Sequence, residues 1–466
     1  MRPVLFTATL AVGFATALHA APRFPFPRNG TYRYGTKVSA SAMTVTGSEV
    51  QAAFGAWKAS QLDSSSIYMC VTFDDPATTV SEGIGYGMLI LVYMDNATNN
   101  TKGQFDKMWA YYHKWSNIRG VMHWKINGFS SVAGQNGATD AELDVALALL
   151  MAYKQWGDES YLTNAKTLIA AIWNSEVDKT ARRLKPGDAW DAFKNPSYIS
   201  PAAFELFRQV DSNAWGELIA NEYTMLDANT SKQSSGLPSD WCDAAGNPVG
   251  GNSSLQFGYD AIRTPWRLAL GYSWFGHPQA KTIEARLLGW IANAPISSKP
   301  ASIVDGYNLD GSAKGSWNVA TYVGALGSAG MTDSVKSQAW VDGCYTRLRK
   351  GADGTGYFHS SLKVLYLLHM GGNLNNLWEA PVATGIAQER SVATVHQANR
   401  HLEIFPAGDS WLRAEVVDLQ GRIRKTARSA QGKLEMELGH LPQGTYLLRL
   451  TSREGRQERT FALFGN

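Results

Sequence analysis

Residues 138–153 read Ala-Thr-Asp-Ala-Glu-Leu-Asp-Val-Ala-Leu-Ala-Leu-Leu-Met-Ala-Tyr, and this stretch decides the fold class. Its long apolar side chains recur at the i, i+4, i+7 and i+8 spacing of a helix that packs against other helices. They are Leu143, Leu147, Leu150 and Met151. Thr139 is the expected N-cap and Asp140 follows in the first turn. Glu142 and Asp144 are expected to face solvent or to cap the helix.

Similar helical patterns recur between Pro25 and Trp378. They cover residues 82–94, 102–116, 161–173, 212–225, 278–291, 334–348 and 360–370. About 350 residues divided into helix-plus-loop units of about 30 residues give close to twelve helices. Twelve helices suffice for six hairpins closed in a ring, and helical repeats without a strict sequence period are also compatible.

The chain changes character after Trp378. Of its 16 tryptophans, 15 lie up to that point, and the linker-like stretch Ala380-Pro-Val-Ala-Thr-Gly385 follows. Short segments of strand-like composition come next, separated by glycine and proline, at residues 402–405, 413–419 and 445–450. We predict an all-α domain over residues 22–379, a linker over 380–398 and a small all-β sandwich over 399–466.

The N-terminus has the pattern of a secretory signal peptide. Met1-Arg-Pro3 precedes an apolar stretch from Val4 to Leu18, and the small residues Ala20 and Ala21 follow. We expect residues 1–21 to be removed. No later segment has the roughly 18 uninterrupted apolar residues of a membrane-spanning helix, so the expected product is secreted or attached to the cell surface.

The composition excludes several classes of function. A net charge of +3 over 466 residues is too small to indicate a nucleic-acid partner. Cys70, Cys242 and Cys344 are an odd number without metal-ligand spacing, so we expect packed thiols and at most one disulfide. Nucleotide-binding and metalloprotease motifs are missing from the sequence, and we expect neither a cofactor nor a metal. A chain near neutrality and rich in aromatic residues suits an uncharged substrate.

Glu82 heads a helical pattern inside the glycine-rich island Val80-Ser-Glu-Gly-Ile-Gly-Tyr-Gly-Met88. Each of the three glycines costs up to about 1 kcal/mol relative to alanine inside a helix, so something must approach the backbone closely. The two candidates are a substrate sugar and a tightly packed neighbouring helix. Glu82 is either a first-turn acid stabilised by the helix dipole or a catalytic carboxyl group, and the glycines together with Tyr86 favour catalysis.

Asp260 lies in a second island, Phe257-Gly-Tyr-Asp-Ala-Ile-Arg-Thr-Pro-Trp-Arg267. Arg263 can pair with it from three residues further on, and Pro265 is expected to shape a local turn. The two residues are either a buried ion pair that holds a loop or an ionised base beside its guanidinium, and these interpretations are compatible. Glycoside hydrolysis requires two carboxyl groups of this kind.

Further candidates come from residue types alone. Asp140 could hydrogen-bond sugar hydroxyls. Trp124 and Trp241 lie in loop-like segments, where they could line a groove, whereas most other aromatic residues are expected in the core.

Taken together, these islands resemble glycoside hydrolase family 8. Five motifs carry the resemblance in the family's order, namely residues 80–88, 138–144, 236–241, 259–267 and 356–368 with 371–373. The resemblance implies an (α/α)6 barrel with a groove across one end and an inverting mechanism on β-1,4-linked glycans. One departure, Gly371-Gly-Asn-Leu374, stands where the family more often has serine and phenylalanine and concerns packing at the groove's edge.

The resemblance also implies roles for single residues. Glu82 matches the general acid, Asp260 the general base that activates water, and Asp140 the acid that holds and helps distort the sugar beside the scissile bond. The expected sugar contacts are Tyr259, Arg263, Trp124 and Tyr357.

The islands look most like those of the endoglucanase-type branch, which implies internal cleavage of β-1,4-glucan of the cellulose type. An endo-β-1,4-xylanase or a mixed-linkage glucanase is the alternative within the family. An alternative from another class is a non-catalytic surface glycan-binding protein that kept the barrel. In each case the expected partner is a β-1,4-linked polysaccharide or oligosaccharide.

The C-terminal segment resembles the sorting modules of bacterial proteins exported by type IX secretion. Val417-Asp-Leu-Gln-Gly-Arg422 and Leu441-Pro-Gln-Gly-Thr-Tyr446 carry this resemblance, which implies contact with the secretion machinery. A carbohydrate-binding or spacer domain is the alternative. With Trp411 as its single tryptophan, the segment is poor in platforms for sugar stacking.

Overall fold

The computed structural model describes residues 21–251, 255–333, 335–351, 354–379, 393–398, 400–406, 412–418, 422–430, 432–452 and 455–463. The chain divides into two compact units, Met1–Ala380 and Pro381–Asn466. The predicted signal peptide, residues 1–21, lies outside the described residues apart from Ala21.

Within the described residues, the first unit contains twelve α-helices. They are α1 Ser48–Gln61, α2 Ser81–Tyr93, α3 Lys102–Lys114, α4 Thr139–Trp156, α5 Glu159–Ser175, α6 Pro201–Val210, α7 Trp215–Ser231, α8 Arg263–Phe275, α9 Pro278–Asn293, α10 Ala320–Ala329, α11 Gln338–Lys350 and α12 Gly356–Met370. Every stretch with a predicted helical pattern falls on one of these helices.

The even-numbered helices form a closed inner ring. Each contacts the next in the order α2, α4, α6, α8, α10 and α12, and α12 contacts α2 again. Five outer helices, α3, α5, α7, α9 and α11, each pack against the inner helix that precedes them in the chain, namely α2, α4, α6, α8 and α10. The remaining outer helix, α1, packs against α12, the last inner helix. This double ring of helical hairpins is the (α/α)6 arrangement that the resemblance implies.

The inner helix α4 is buried on all sides. Of its 18 residues 16 are buried, among them Glu142 and Asp144. The expectation that these two acids face solvent is wrong, because an inner helix has neighbours all round. The N-cap is Ala138 rather than Thr139, whose hydroxyl donates to the carbonyl of Lys185 at 2.8 Å.

The glycines of α2 allow neighbouring helices to approach it closely. A Cβ on Gly85 would lie 3.0 Å from Cβ of Asp144 and 3.1 Å from the carbonyl oxygen of Ala141, both on α4. A Cβ on Gly87 would lie 2.6 Å from Sδ of Met108 on α3. At these two positions helix packing, and not a sugar, accounts for the glycine.

Short antiparallel strands lie in the connections between helices, where helical periodicity carries no signal. They are β1 Leu62–Ser64, β2 Met69–Val71, β3 Thr78–Val80, β4 Lys125–Asn127, β5 Ser131–Gly134, β6 Val177–Asp178, β7 Arg183–Leu184, β8 Gln256–Phe257 and β9 Tyr307–Asn308. β1 pairs with β2, β3 with β4, β4 with β5, β6 with β7, and β8 with β9. Because β3 leads directly into α2 and β8 ends shortly before Asp260, these sheets brace the segments that carry the candidate carboxyl groups.

In its described residues, the second unit contains two small antiparallel sheets. Their strands are β10 Ala393–Ala398, β11 His401–Pro406, β12 Leu412–Val417, β13 Ile423–Ser429, β14 Leu434–Glu437, β15 Gly444–Ser452 and β16 Gly455–Leu463. The sheet orders are β10-β11-β14 and β13-β12-β15-β16.

Buried side chains from both sheets belong to one hydrophobic cluster, which includes Leu402, Leu412, Leu434 and Leu448. Face-to-face packing as a sandwich stays a prediction. β10 covers residues 393–398, which the sequence analysis assigned to the linker, and its pairing with β11 makes it part of a sheet. Trp411 lies outside the described residues.

All three cysteines, Cys70, Cys242 and Cys344, are buried free thiols, as the packed-thiol interpretation predicts. Across the described ranges, no helix has both the length and the apolar character needed to cross a bilayer.

Candidate active site

One end of the inner ring opens into a cavity of about 750 Å³. The first turns of α2, α4, α8 and α12 all contribute to its lining, because the inner helices run in the same direction and their N-termini meet at one end. All seven predicted site residues line this cavity: Glu82, Asp140, Asp260, Tyr259, Arg263, Trp124 and Tyr357. The fold therefore brings together residues that lie up to 275 positions apart in the chain.

Arg263, the first residue of α8, links the three candidate carboxyl groups. Its buried guanidinium contacts Oε1 of Glu82 and Oδ2 of Asp140 through the same nitrogen, Nη1, the second contact at 2.5 Å. Nη2 lies 3.2 Å from Oδ1 of Asp260. Charge-assisted hydrogen bonds of this kind are stronger than neutral ones. Of the three contacts, the predicted one to Asp260 is the longest.

Glu82 lies in the first turn of α2, and its side chain is 15% exposed. Tyr86, one turn further along the helix, donates to Oε1 at 2.9 Å, and Tyr357 donates to Oε2 at 2.6 Å. Together with Arg263, these donors bind both oxygens of the carboxyl group. The orientation of Glu82 is therefore set by three elements, α2, α8 and α12.

Asp140 is buried in the first turn of α4. Its Oδ1 has no hydrogen-bond partner among the described residues. Burial raises the pKa of Asp140 to about 7 against the opposing effect of the Arg263 guanidinium, and the neighbouring Glu82 carboxylate raises it further.

Asp260 is the most accessible of the three carboxyl groups, with 40% of its side chain exposed. Nε1 of Trp241 donates to Oδ2 at 3.1 Å, and Nδ2 of Asn195 donates to Oδ1 at 3.2 Å. The amide of Asn195 cannot rotate freely, since its Oδ1 accepts from both the backbone N–H and the hydroxyl of Ser197 at 3.0 and 2.7 Å. Asp260 is thus not a buried structural ion pair with Arg263 but a half-exposed carboxylate held by three donors.

Asp240 supports the turn that carries Asp260. Its Oδ1 accepts the backbone N–H of Gly258 at 3.0 Å and that of Ala261 at 2.8 Å. A Cβ on Gly258 would lie 2.2 Å from Oδ2 of Asp240, so the turn requires glycine there. The prediction that Pro265 shapes a local turn is wrong. Pro265 lies in the first turn of α8, where a backbone N–H has no partner within the helix.

A second ion pair lies one helical turn below the first. Arg267 of α8 and Asp144 of α4 are both buried and form two parallel hydrogen bonds of 2.7 and 2.8 Å. They connect two inner helices that are not neighbours in the ring, which fixes Arg263 and Asp140 at the same height in the barrel.

Trp124 and Tyr259 offer exposed aromatic faces to the cavity, at 44% and 41% exposure. The indole of Trp124 rests on Gly134, where a Cβ would lie 2.3 Å from the ring. Tyr357, in contrast, is buried and binds Glu82, so its position suits orientation of that carboxyl group more than stacking on a sugar.

Sequence reasoning missed Asn195, Tyr198 and Asp240 as contributors to the site. The Tyr198 ring centre lies 5.3 Å from the guanidinium carbon of Arg263, and Tyr198 lines the cavity. Asn195 and Tyr198 lie at a short 3-10 helix, Pro196–Tyr198, which no periodic pattern marks. Asp240 lies within residues 236–241, one of the motifs of the family resemblance, directly before Trp241. This position is the signal by which Asp240 could have been identified as a site residue.

Potential metal ligands cluster once in the described part of the chain, at His401, Glu403 and Glu435 of the second unit. Lys433 contacts Glu403 and lies 2.7 Å from Glu435, so an ammonium group already pairs with both acids.

The family model for glycosyl hydrolases family 8 matches residues 24–372. The chain belongs to this family. Endoglucanase 2 of Ruminiclostridium josui is 34% identical over 375 residues, which cover 77% of this chain and 79% of that protein. The beta-glucanase of Niallia circulans is 33% identical over 387 residues, 77% of this chain and 93% of that protein.

Among solved structures, the beta-1,3-1,4-glucanase from Paenibacillus sp. X4 matches with a TM-score of 0.70 and 30% identity, covering 76% of this chain and 99% of that one. This family 8 protein is therefore a glycoside hydrolase, and its double ring of helices is the fold of its family. The family match ends before the second unit begins.

Proposed function

We propose that this family 8 protein is a secreted endo-β-1,4-glucanase that cleaves internal bonds of cellulose-type glucan with inversion of the anomeric centre. The observation that carries the proposal is the meeting of Glu82, Asp140 and Asp260 on Arg263 inside an aromatic-lined cavity. The endoglucanase and glucanase names of its relatives support a glucan as the substrate.

Glu82 is the proposed general acid. Its proton passes to the glycosidic oxygen as the bond to the anomeric carbon breaks, so that the leaving sugar departs as a neutral alcohol. An acid must hold its proton near neutral pH. Asp140 contacts the same guanidinium nitrogen as Glu82, and burial raises the pKa of Asp140 to about 7, so Asp140 can hold a proton beside the proposed acid near neutral pH.

Asp260 is the proposed general base. It takes a proton from a water molecule, and the resulting hydroxide attacks the anomeric carbon from the face opposite to the leaving group. Inverting enzymes need about 6.5 to 9.5 Å between the two carboxyl groups to admit this water. Glu82 and Asp260 bind different nitrogens of Arg263, an arrangement that is compatible with this separation.

The second candidate substrate is a mixed-linkage β-glucan. It is favoured by the solved beta-1,3-1,4-glucanase, which is similar to this chain over 76% of its length. Both substrates present the same β-1,4-linked glucose units, and they differ in how strongly the chain bends between units.

The experiment that tests the proposal measures reducing ends released from carboxymethyl cellulose, barley glucan and xylan, with the anomeric configuration of the product followed by NMR. We expect fastest release from a glucan, a rapid fall in viscosity that indicates internal cleavage, and an α-anomer as first product. Fastest release of reducing ends from xylan would contradict the assignment of a glucan as the substrate. A β-anomer as first product would contradict the inverting mechanism. Polysaccharide binding without any release would favour the glycan-binding alternative.

Substitution of Glu82 tests the assignment of the acid. We expect Glu82→Gln to lower kcat by about 10² to 10⁴-fold, the usual contribution of a positioned acid, while binding of the polysaccharide persists. Glu159→Gln is the matched control, since Glu159 is also a first-turn glutamate but is exposed and lies outside the cavity. A loss of less than tenfold in Glu82→Gln would exclude Glu82 as the acid.

We further propose that residues 1–21 direct export and that the second unit is a sandwich-type sorting module that contacts the secretion machinery. The signal-peptide pattern and the two sheets support this. Deleting residues 390–466 should leave glucan hydrolysis intact and change where the native host delivers the protein. Loss of hydrolysis would show that the module contributes to the active site.

A further inference from the structure

Trp317 is an exposed tryptophan outside the cavity lining. Its side chain is 73% exposed, against 44% for Trp124 and for Trp190. Single exposed aliphatic residues are ordinary on protein surfaces. A whole indole in water is a larger apolar area, and tryptophan is enriched at binding interfaces.

The backbone around Trp317 is firmly held. Oδ1 of Asp305 accepts the backbone N–H groups of both Ser316 and Trp317 at 2.8 Å. The loop closes so tightly that a Cβ on Gly315 would lie 2.2 Å from the same oxygen. The indole is therefore presented by a pre-organised loop, and binding on it requires little ordering of the chain.

Asn318 anchors the other side of Trp317. Its side-chain amide donates to the carbonyl groups of Pro300 and Ile303 at 2.9 and 2.7 Å. Its Oδ1 accepts from Nε of Arg347 at 2.7 Å. Trp317 thus lies between two side-chain clamps, while its own ring has little protein around it.

The same Asp305 connects Trp317 to the active site. The hydroxyl of Tyr259, which lines the cavity next to Asp260, lies 3.4 Å from Oδ2 of Asp305. In addition, β9 at Tyr307–Asn308 pairs with β8, the strand that leads into Tyr259 and Asp260. Asp305 therefore links Trp317 to Tyr259, the neighbour of the proposed base Asp260, through two hydrogen bonds.

We propose that Trp317 is a stacking platform for a sugar unit of a β-linked glucan chain that leaves the cavity past Tyr259. The flat, apolar face of a β-linked glucose unit is complementary to an indole face. Such a platform binds only chains long enough to reach beyond the cavity. It therefore favours polymers over short oligosaccharides, and in this respect the inference rests on the proposed function.

The test compares Trp317→Ala, Trp317→Phe and the control Val335→Ala, which removes an even more exposed apolar side chain from another loop. Steady-state kinetics are measured on barley glucan and on cellotetraose. For Trp317→Ala we expect KM on barley glucan to rise about tenfold with kcat nearly unchanged, and KM on cellotetraose to stay within twofold. Trp317→Phe should keep most of the polymer affinity, and the control should match the wild type.

Two results would overturn the platform. One is an unchanged KM on the polymer in Trp317→Ala, and the other is an equal loss on cellotetraose, which would indicate a structural role for the ring. Affinity electrophoresis in gels with and without barley glucan separates this inference from the proposed function, because it needs no hydrolysis. If the wild type cleaves no glucan, reduced retention of Trp317→Ala still supports the platform, and equal retention of both proteins overturns it.

Discussion

Arg263 decides how the charges of the active site balance. Three carboxyl groups meet one guanidinium, and full ionisation would leave an excess of two negative charges in a largely buried place. Retaining a proton at Asp140 reduces that excess, which agrees with its raised pKa of about 7. A lysine at this position would offer one point charge in place of a planar fork and could not hold three partners in fixed directions.

At the residue scale we predict that Asn195 positions Asp260 for catalysis. Asn195→Ala removes one of three hydrogen bonds to that carboxylate, and a hydrogen bond to a charged group is worth about 1.5 to 3 kcal/mol. We expect kcat to fall about tenfold or more with KM close to that of the wild type, and the melting temperature to fall as well, because the buried N–H and hydroxyl of Ser197 lose their acceptor.

Ser197→Ala serves as a graded control for Asn195. It deletes the hydroxyl that holds the amide but leaves the backbone N–H of residue 197, so its kcat should lie between those of the wild type and Asn195→Ala. A kcat for Asn195→Ala within twofold of the wild type would contradict the positioning role.

Much of the site could be predicted from residues alone, because Glu82, Asp140 and Asp260 each stand in a locally distinctive motif. Asn195 could not, since its neighbours form no periodic pattern and its link to Asp260 spans 65 positions. Residues that act through a tertiary contact leave no local trace in a single sequence.

At the scale of elements, the helical periodicity predicted which segments form helices. It did not predict which helices are packed on all sides by other helices. The polar residues of α4 read as solvent-facing because an amphipathic helix normally has an exposed side. In a double ring the inner helices have none, so Glu142 and Asp144 are buried, Asp144 paired with Arg267 and Glu142 bound by Tyr112 at 3.2 Å.

We predict that Gly85 is required for the contact between α2 and α4. In Gly85→Ala the added methyl group would lie 3.0 Å from Cβ of Asp144 and 3.1 Å from the carbonyl oxygen of Ala141, closer than van der Waals contact. Overpacking of this kind costs about 1 to 3 kcal/mol, more than the gain in helix propensity of about 1 kcal/mol. The free energy of unfolding, measured in urea, should fall.

Gly55→Ala is the matched control for Gly85→Ala. Gly55 lies inside α1, and a Cβ there meets nothing within 4 Å, so this change should stabilise the protein slightly or leave it unchanged. If Gly85→Ala were as stable as Gly55→Ala, the two inner helices would not be in the tight contact described.

At the scale of the whole molecule, the barrel holds several buried acids. Glu284 on α9 has no hydrogen-bond partner for either carboxyl oxygen among the described residues, and burial alone raises its pKa well above the ordinary 4.5. The folded state keeps a proton that the unfolded chain releases. Stability from this group is therefore present in full below about pH 4.5 and is lost as the pH rises toward the folded-state pKa.

We predict that the free energy of unfolding of the wild type decreases from pH 5 to pH 8, and that Glu284→Gln makes this decrease smaller. One group contributes at most about 1.4 kcal/mol per pH unit. Urea unfolding across this range measures the slope. Glu159→Gln, at an exposed position, should leave the slope unchanged, and a wild-type slope retained in Glu284→Gln would show that this carboxyl group does not hold a proton in the folded protein.

The three buried free thiols have a consequence for the folding of this protein. A chain without disulfides has a denatured ensemble that no covalent cross-link restricts, so non-covalent packing must supply the whole of the folding energy. Folding therefore needs no thiol oxidant and no disulfide isomerase. The enzyme should reach the same folded state inside a reducing host cell as under oxidising conditions, and dithiothreitol should leave its melting temperature unchanged.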